Sequence, residues 1–220
     1  MNSVARVLSV QVGRIASYPP VEGSSEPWQS AIVKSAVTGR IHARALGLDG
    51  DAQADLRNHG GEWRAINVYP SEHYDFWHAL TGLEGMAGGA FGENFTTQGL
   101  VETTACIGDV FRVGEAVVAI SQPRGPCYKL NRRWNRPDIQ QIAEQTHRFG
   151  WYLRVQQEGQ VGAGDDLTLL ERPFPQWTVA RVWDLAQDPA DKDAVRALAD
   201  CPALSEGWKR SLRKKLDHTP

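Results

Sequence analysis

Through the first 170 residues, apolar positions recur at period two in short runs, and glycine-rich turns break the runs apart. Val4-Ala5-Arg6-Val7-Leu8-Ser9-Val10 alternates in this way and predicts a strand. Ser30 to Val37 and Ile41 to Ala45 flank Thr38-Gly39, which predicts a hairpin. Ala65 to Tyr69 is a further short strand, stopped by Pro70. Val110 to Val113 and Ala116 to Ile120 flank Gly114-Glu115, the plainest hairpin of the chain. Trp151 to Val155 and Asp166 to Leu170 complete the set. Many short strands with regular turns point to a closed or nearly closed β-barrel, which also removes unpaired strand edges.

Helical spacing appears at two places within this pattern. Ser71 is positioned to cap a segment carrying Tyr74, Trp77 and Leu80, which Gly82 ends. Pro137 opens a second segment with Ile139, Ile142 and Ala143 on one face. After Arg172-Pro173-Phe174-Pro175 the period changes to that of helices throughout. Thr178 precedes Val179, Val182, Trp183 and Ala186; Asp188-Pro189 opens a segment with Val195 and Leu198; Ser205 precedes Trp208, Leu212 and Leu216. Three short amphipathic helices of this kind need a surface to pack on. The fold class is therefore mainly β with α, divided into residues 1–172, a β-barrel, and 173–220, a small three-helix appendage.

Composition fits one medium-sized globular chain, with 41% hydrophobic and 23% charged residues among 220. The 24 basic and 26 acidic residues leave a net charge of −2, so no global excess draws the chain to nucleic acid or an anionic membrane. No apolar run is long enough to span a bilayer, and Met1 to Ile15 lacks the continuous apolar stretch of a signal peptide. Cys106, Cys127 and Cys201 are scattered, without CxxC spacing. The expectation is a reduced, cytoplasmic protein with at least one free thiol.

Three segments carry candidate chemistry. In Ser121-Gln122-Pro123-Arg124-Gly125-Pro126-Cys127-Tyr128-Lys129-Leu130, a strand gives way to a Pro/Gly-framed bend that presents Cys127 between Arg124 and Lys129. Flanking cations favour the thiolate, the form that attacks electrophiles or binds metal, and Arg124 and Lys129 suit an anionic ligand. Gly47-Leu48-Asp49-Gly50-Asp51 reads as a tight turn, followed by Arg57-Asn58-His59-Gly60-Gly61 and Arg64. Glycines here allow close backbone approach and an anion nest at His59, Gly60 and Gly61, with Arg57 and Arg64 adding charge. Phe91-Gly92-Glu93-Asn94 offers Asn94 as donor and acceptor, and Glu93 as an arginine partner or proton donor.

Other constellations drop out. The six histidines show no HxxxH pair, and there is no GxSxG, P-loop or GxGxxG motif. The eight tryptophans are dispersed and read as core or barrel–helix contacts, and the basic run Lys209 to Lys215 as a solvated helix face.

Taken in order, Gly47 to Asp51, His59-Gly60-Gly61, Phe91 to Asn94, Ile107-Gly108-Asp109 and the Arg124 to Leu130 run resemble the MOSC family, the domain of molybdenum cofactor sulfurases. The helices after residue 172 resemble the appendage of its YiiM-type subgroup. Asn58 departs from the pattern, where an apolar residue is expected. The resemblance implies a MOSC β-barrel and a molybdenum cofactor (Mo-molybdopterin), with Cys127 as metal ligand and catalytic residue. Arg57, Arg64, Arg124 and Lys129 are implied to hold the pterin phosphate, with His59, Gly60, Gly61, Asn94 and Tyr128 completing the cofactor site. The implied activity is reduction of small N-hydroxylated compounds, N-hydroxylated purine bases among them, to amines, a detoxification. The sequence has no flavin or clustered-cysteine motif, so electrons are expected from a separate flavin or iron–sulfur protein. Glu93, His59 and Tyr128 are the candidate proton relays. Two other readings stay open: a sulfurtransferase carrying a Cys127 persulfide, and a non-enzymatic module that binds or delivers the cofactor. The chain is expected as a monomer or homodimer.

Overall fold

The computed structural model describes residues 3–21 and 25–218. Met1 and Asn2 of the N-terminal segment, and Thr219 and Pro220 of the appendage, lie outside them. In chain order the first elements are β1 (Ser3–Val12), β2 (Ala16–Tyr18), β3 (Trp28–Ser30), β4 (Ser35–Ala36), β5 (Arg40–Arg44), β6 (Gly47–Leu48), α1 (Leu56–His59), β7 (Ile66–Pro70), α2 (Tyr74–Thr81) and β8 (Phe95–Gln98). Then come β9 (Val110–Val113), β10 (Ala116–Pro123), α3 (Lys129–Trp134), α4 (Ile139–Gln145), β11 (Trp151–Gln157), β12 (Gly159–Gly162), β13 (Asp166–Glu171), α5 (Val179–Gln187), α6 (Lys192–Ala199) and α7 (Glu206–His218).

Seven strands close a barrel in the order β13-β9-β10-β11-β7-β8-β1, and β1 returns to β13. The closing pair is antiparallel, with Ala5 opposite Leu167 and Arg6 opposite Asp166. Every pairing around the ring is antiparallel except β7–β8, whose connection runs through α2. A parallel pair needs such a crossover, and Ser71 to Asn94 provides it. Alternation follows the pleat where one face is wet: in β9, Phe111 and Val113 are buried and Arg112 is exposed. β10 is buried almost throughout, because its outer side carries the C-terminal helices.

That packing is extensive. Val179, Val182, Leu198 and Leu212 of the helices, and Leu204 between α6 and α7, join Val118, Ile120 and Phe111 of the barrel in a single buried cluster. Each side chain of this size contributes roughly 1.5–3 kcal/mol when fully buried. Backbone bonds tie the two together as well: Ile107 N–H donates to Trp177, Val179 N–H to Ala105, and Ser205 N–H to Ser121. Arg172 clamps the wholly buried Asp109 through two bonds of 2.8 and 2.7 Å. A second cluster, including Trp28, Tyr69, Trp77, Phe91 and Leu130, packs α2, α3 and α4 against the barrel.

Several expectations need correction. Thr38-Gly39 does turn the chain, with Gly39 at φ 83°, but its flanks do not pair with each other. β4 joins β1, while β5 joins β12 and β6. Ser71 makes no side-chain cap; it starts a 3-10 turn after Pro70, from which α2 continues. Gly82 ends α2 in the left-handed conformation, as its position implies. Thr178 caps α5, accepting from Arg181 N–H. The middle helix begins later than Asp188-Pro189, because Asp191 supplies the cap by accepting from Ala194 N–H. Helix α3 has no counterpart among the predicted helices; its first two residues, Lys129 and Leu130, are the end of the Pro/Gly-framed segment.

Candidate functional site: two clefts meeting at Cys127

Strand β10 ends at Pro123, opposite Trp151 of β11. Arg124 N–H then donates to Gly150 at 3.1 Å, which fixes the direction in which the bend leaves the barrel. Gly150 sits at φ 74°, and a Cβ there would lie 2.0 Å from the Val68 carbonyl oxygen. Cys127 accepts from Leu130 N–H at the entry to α3, and its thiol is half-buried. All three cysteines are free. Cys106 and Cys201 are buried, and burial raises both of their thiol pKa values.

Cys127 borders two adjoining clefts. The inner one spans about 560 Å³, part of it open to solvent, and is walled by Lys34, Asp51, Asn67, Asn94 and Arg124. The outer one spans about 850 Å³, likewise open to solvent, and is walled by Asn58, Gln122, Gly125, Tyr128 and Trp208. His59, Arg64, Lys129 and Tyr152 face both.

Arg124 is the dominant charge of the inner cleft. It is 4% exposed, and one terminal nitrogen donates to the Phe91 carbonyl at 2.8 Å. Its Nε and other terminal nitrogen find no partner among the described residues. Unpaired N–H groups on a buried guanidinium are costly, and an anion supplies what they lack. Across the cleft, Lys34 and Asp51 form a buried ion pair, with side-chain exposures of 6% and 2%. The Asp51 carboxylate also accepts from Gly13 N–H at 2.7 Å and from the Asn94 amide at 2.8 Å. Burial pulls the Lys34 pKa down, against the raising effect of Asp51. The Asn67 carboxamide oxygen is another buried atom without a hydrogen-bond partner among the described residues.

His59 ends α1, with Nδ1 3.3 Å from the Tyr152 hydroxyl. Burial first, then the nearby Arg124 charge, lowers its pKa to about 4, so the ring is neutral at pH 7. Tyr152 is pushed the other way, mainly by burial. Lys129 donates to the Gln29 carbonyl at 3.0 Å, and Arg64 reaches the Gly60 carbonyl at 3.4 Å.

The structure thus brings together Cys127, His59, Arg64, Asn94, Arg124, Tyr128 and Lys129. It does not bring Arg57, Gly60 or Gly61 to either cleft wall. Arg57 is exposed on α1. Gly60 N–H donates to Leu56, so it is not free to join an anion nest. Glu93 is sealed rather than poised for proton transfer. It is 0% exposed and accepts from Gly89 N–H, Phe91 N–H and the Tyr74 and Thr96 hydroxyls. Its work is to hold the 89–92 turn whose Phe91 carbonyl meets Arg124. Asn94 is fully engaged too, accepting from Asn67 N–H and donating to Gln11 and Asp51.

Sequence reasoning missed Lys34, Asn67, Gln122, Tyr152 and Trp208 as wall residues. Lys34 falls within Ser30 to Val37, which the turn signal assigns to one arm of a hairpin, and the spacing of Trp208 reads as helix packing. The described residues include no group of three or more His, Cys, Asp or Glu arranged to hold a metal ion. A metal here would depend on a cofactor for its other ligands, with Cys127 the one soft donor on the wall. Among the described residues no helix is long and apolar enough to cross a membrane.

A closed barrel with a cationic, cysteine-bearing cleft, joined to three helices, defines the class. The MOSC domain model matches residues 55–168, and the model of the YiiM-like 3-alpha helix domain matches 177–219. The chain belongs to the MOSC family and carries the YiiM-like helical domain. It is 39% identical over 213 residues to Protein YiiM of Escherichia coli, covering 94% of this chain and 91% of that one. It is 37% identical over 178 residues to a "Reductase" of Gibberella moniliformis, covering 80% of this chain but 31% of the fungal protein. The crystal structure of YiiM from Geobacillus stearothermophilus superimposes with a TM-score of 0.81 at 32% identity, covering 96% of this chain and 99% of that one. MOSC domains are associated in general with the molybdenum cofactor.

Proposed function

We propose that this chain is a molybdenum cofactor-dependent oxidoreductase that reduces N-hydroxylated compounds, N-hydroxylated bases among them, to amines. The observation that carries the reading is Arg124, buried on the cleft that Cys127 also lines, with two guanidinium nitrogens unpaired among the described residues. A buried, unsatisfied cation next to a thiol suits a cofactor that combines an anionic phosphate with a thiophilic metal. In this reading Cys127 ligates molybdenum, while Arg124, Arg64 and Lys129 hold the phosphate. The bound cofactor supplies two-electron redox chemistry, so that R–NHOH, two electrons and two protons yield R–NH2 and water.

The chain's own residues supply position and field. Arg124 is aimed by Gly150 on its backbone and by Phe91 on its side chain. Neutral His59, with Tyr152 behind it, offers a hydrogen-bonding edge to a bound hydroxylamine without adding charge. His59 and Tyr128 remain the candidates for handling the protons, since Glu93 is sealed away. Residues 1–172 carry the redox site and 173–220 the helical domain. Electrons arrive from a separate flavin or iron–sulfur protein, in a cytoplasmic setting where Cys127 stays reduced.

The test is elemental and catalytic. Protein purified from a host that makes the cofactor should carry about one molybdenum per chain and reduce N-hydroxyadenine with an added electron donor. Cys127→Ser should lose both metal and turnover while keeping the melting temperature of cofactor-free wild type. Sulfane sulfur on Cys127 of active, molybdenum-free protein would favour sulfur transfer instead.

A further inference from the structure

Glu102 lies between β8 and β9 and is buried. One carboxylate oxygen accepts from Phe149 N–H at 3.1 Å and from Gly150 N–H at 2.7 Å. The other pairs with Nε2 of the buried His73 at 2.7 Å, in the turn that leads into α2. A buried carboxylate is costly unless hydrogen bonds take up its lone pairs, and here they go to one turn and to the histidine. Gly150 is thereby held at both of its backbone groups. Its N–H is fixed by Glu102, and its carbonyl accepts from Arg124 N–H at 3.1 Å.

Glu93 repeats the arrangement at the side-chain end of Arg124. Its two oxygens accept from Gly89 N–H at 2.6 Å and Phe91 N–H at 2.9 Å, and the Phe91 carbonyl accepts from the Arg124 guanidinium at 2.8 Å. Two buried carboxylates from separate parts of the chain thus each clamp two backbone N–H groups of a turn. Both turns turn a carbonyl to the same arginine, a wall residue of the inner cleft. Arg124 is held by its main chain and by its guanidinium, and each holding carbonyl has a carboxylate behind it.

We infer that Glu102, with His73 behind it, is a positioning residue for the inner cleft: together with Glu93 it sets the path of the bend from which Arg124 reaches a phosphate. This rests on the proposed function in giving Arg124 an anionic ligand, and it deepens that reading by naming what aims the cation. Glu102 lines neither cleft and acts through Gly150. Its main-chain carbonyl, which accepts from Ala180 N–H of α5, is untouched by substitution of the side chain.

The probe is inorganic phosphate, titrated by calorimetry into the cofactor-free full chain, with hydrogen exchange of the Arg124 amide followed by NMR on the same proteins. Wild type should bind phosphate, and Arg124→Leu should not. Glu102→Ala should raise the phosphate Kd roughly tenfold, the size of one misaligned charge-assisted bond, and should speed exchange at Arg124 N–H. Glu102→Gln, whose amide oxygen can still accept from both N–H groups, should restore most of the affinity and the protection. Val113→Ala, which opens a cavity at a buried position of β9 outside both cleft walls, should lower the melting temperature and move neither readout. A merely structural Glu102 predicts the same of Glu102→Ala. Unchanged phosphate affinity in Glu102→Ala, when wild type binds through Arg124, overturns the proposal; so does an equal loss in Val113→Ala. If Glu102→Ala does not fold, Glu102→Asp, which keeps the charge but shortens its reach by one methylene, is read in the same way. Wild type that binds no phosphate, or Arg124→Leu that binds it as tightly, sinks the phosphate reading. Exchange at Arg124 then decides the clamp by itself: faster in Glu102→Ala keeps it, unchanged removes it.

Discussion

His59 shows how a cleft sets the behaviour of one side chain. Burial and the neighbouring guanidinium of Arg124 hold its pKa at about 4, below the ordinary 6.5. The unfolded chain therefore binds more protons between those two values, and stability falls as pH drops through that window. Urea unfolding of the cofactor-free protein at pH 7 and pH 5 should show a loss from this group on the order of 2 kcal/mol. His59→Gln should lose less over the same step. Equal losses in the two proteins would show that another group sets the acid limb. The sequence made His59, Cys127 and Arg124 visible, because Pro, Gly and clustered charge mark a shaped loop. It did not reveal the buried Lys34–Asp51 pair or the orphaned Gln122. Those properties arise from partners far along the chain, such as Asn94 to Asp51 and Ser121 to Trp63.

Among the elements, the meeting of β10, β11 and β7 sets the aim of the bend. Gly150 leads into β11 with a left-handed backbone and no room for a side chain, and its carbonyl receives Arg124 N–H. Gly150→Ala should therefore cost at least about 3 kcal/mol, combining backbone strain with a clash against Val68. Calorimetry should show the drop, and molybdenum loading should fall with it; a stable, fully loaded variant would mean the bend is held by other contacts. The strands themselves were largely legible: period-two alternation in β1 and β9 reports one buried face, and β7, buried throughout, shows as a short apolar run. The Thr38-Gly39 pair misled because a turn signal is local while strand partners are chosen globally. Helix α3 was hidden because Pro123, Gly125 and Pro126 dominate its approach, and its six residues are too few to show a helical period.

For the whole molecule, barrel and helices behave as a cooperative unit, because they share a buried cluster and backbone bonds. The full chain should unfold in a single calorimetric transition. A chain ending at residue 172 should lose that transition and bind hydrophobic dyes, since the outer face of β10 and the neighbourhood of Ile107 would be laid open. A truncated chain that melts sharply near the wild-type temperature would count against this. The change of period after Arg172 marked the helices correctly in sequence. It carried no information on which barrel strand they cover, or that one of them reaches a cleft wall.

The seam between β1 and β13 has a consequence for biosynthesis. The opening strand finds one of its neighbours only when residues 166–168 have been made. At ordinary elongation rates that partner emerges from the ribosome roughly 10–30 s after the first strand. Throughout that interval the nascent chain presents a long edge open to wrong pairing, so chaperone occupancy and early aggregation should both depend on how fast the stretch between β8 and residue 168 is translated.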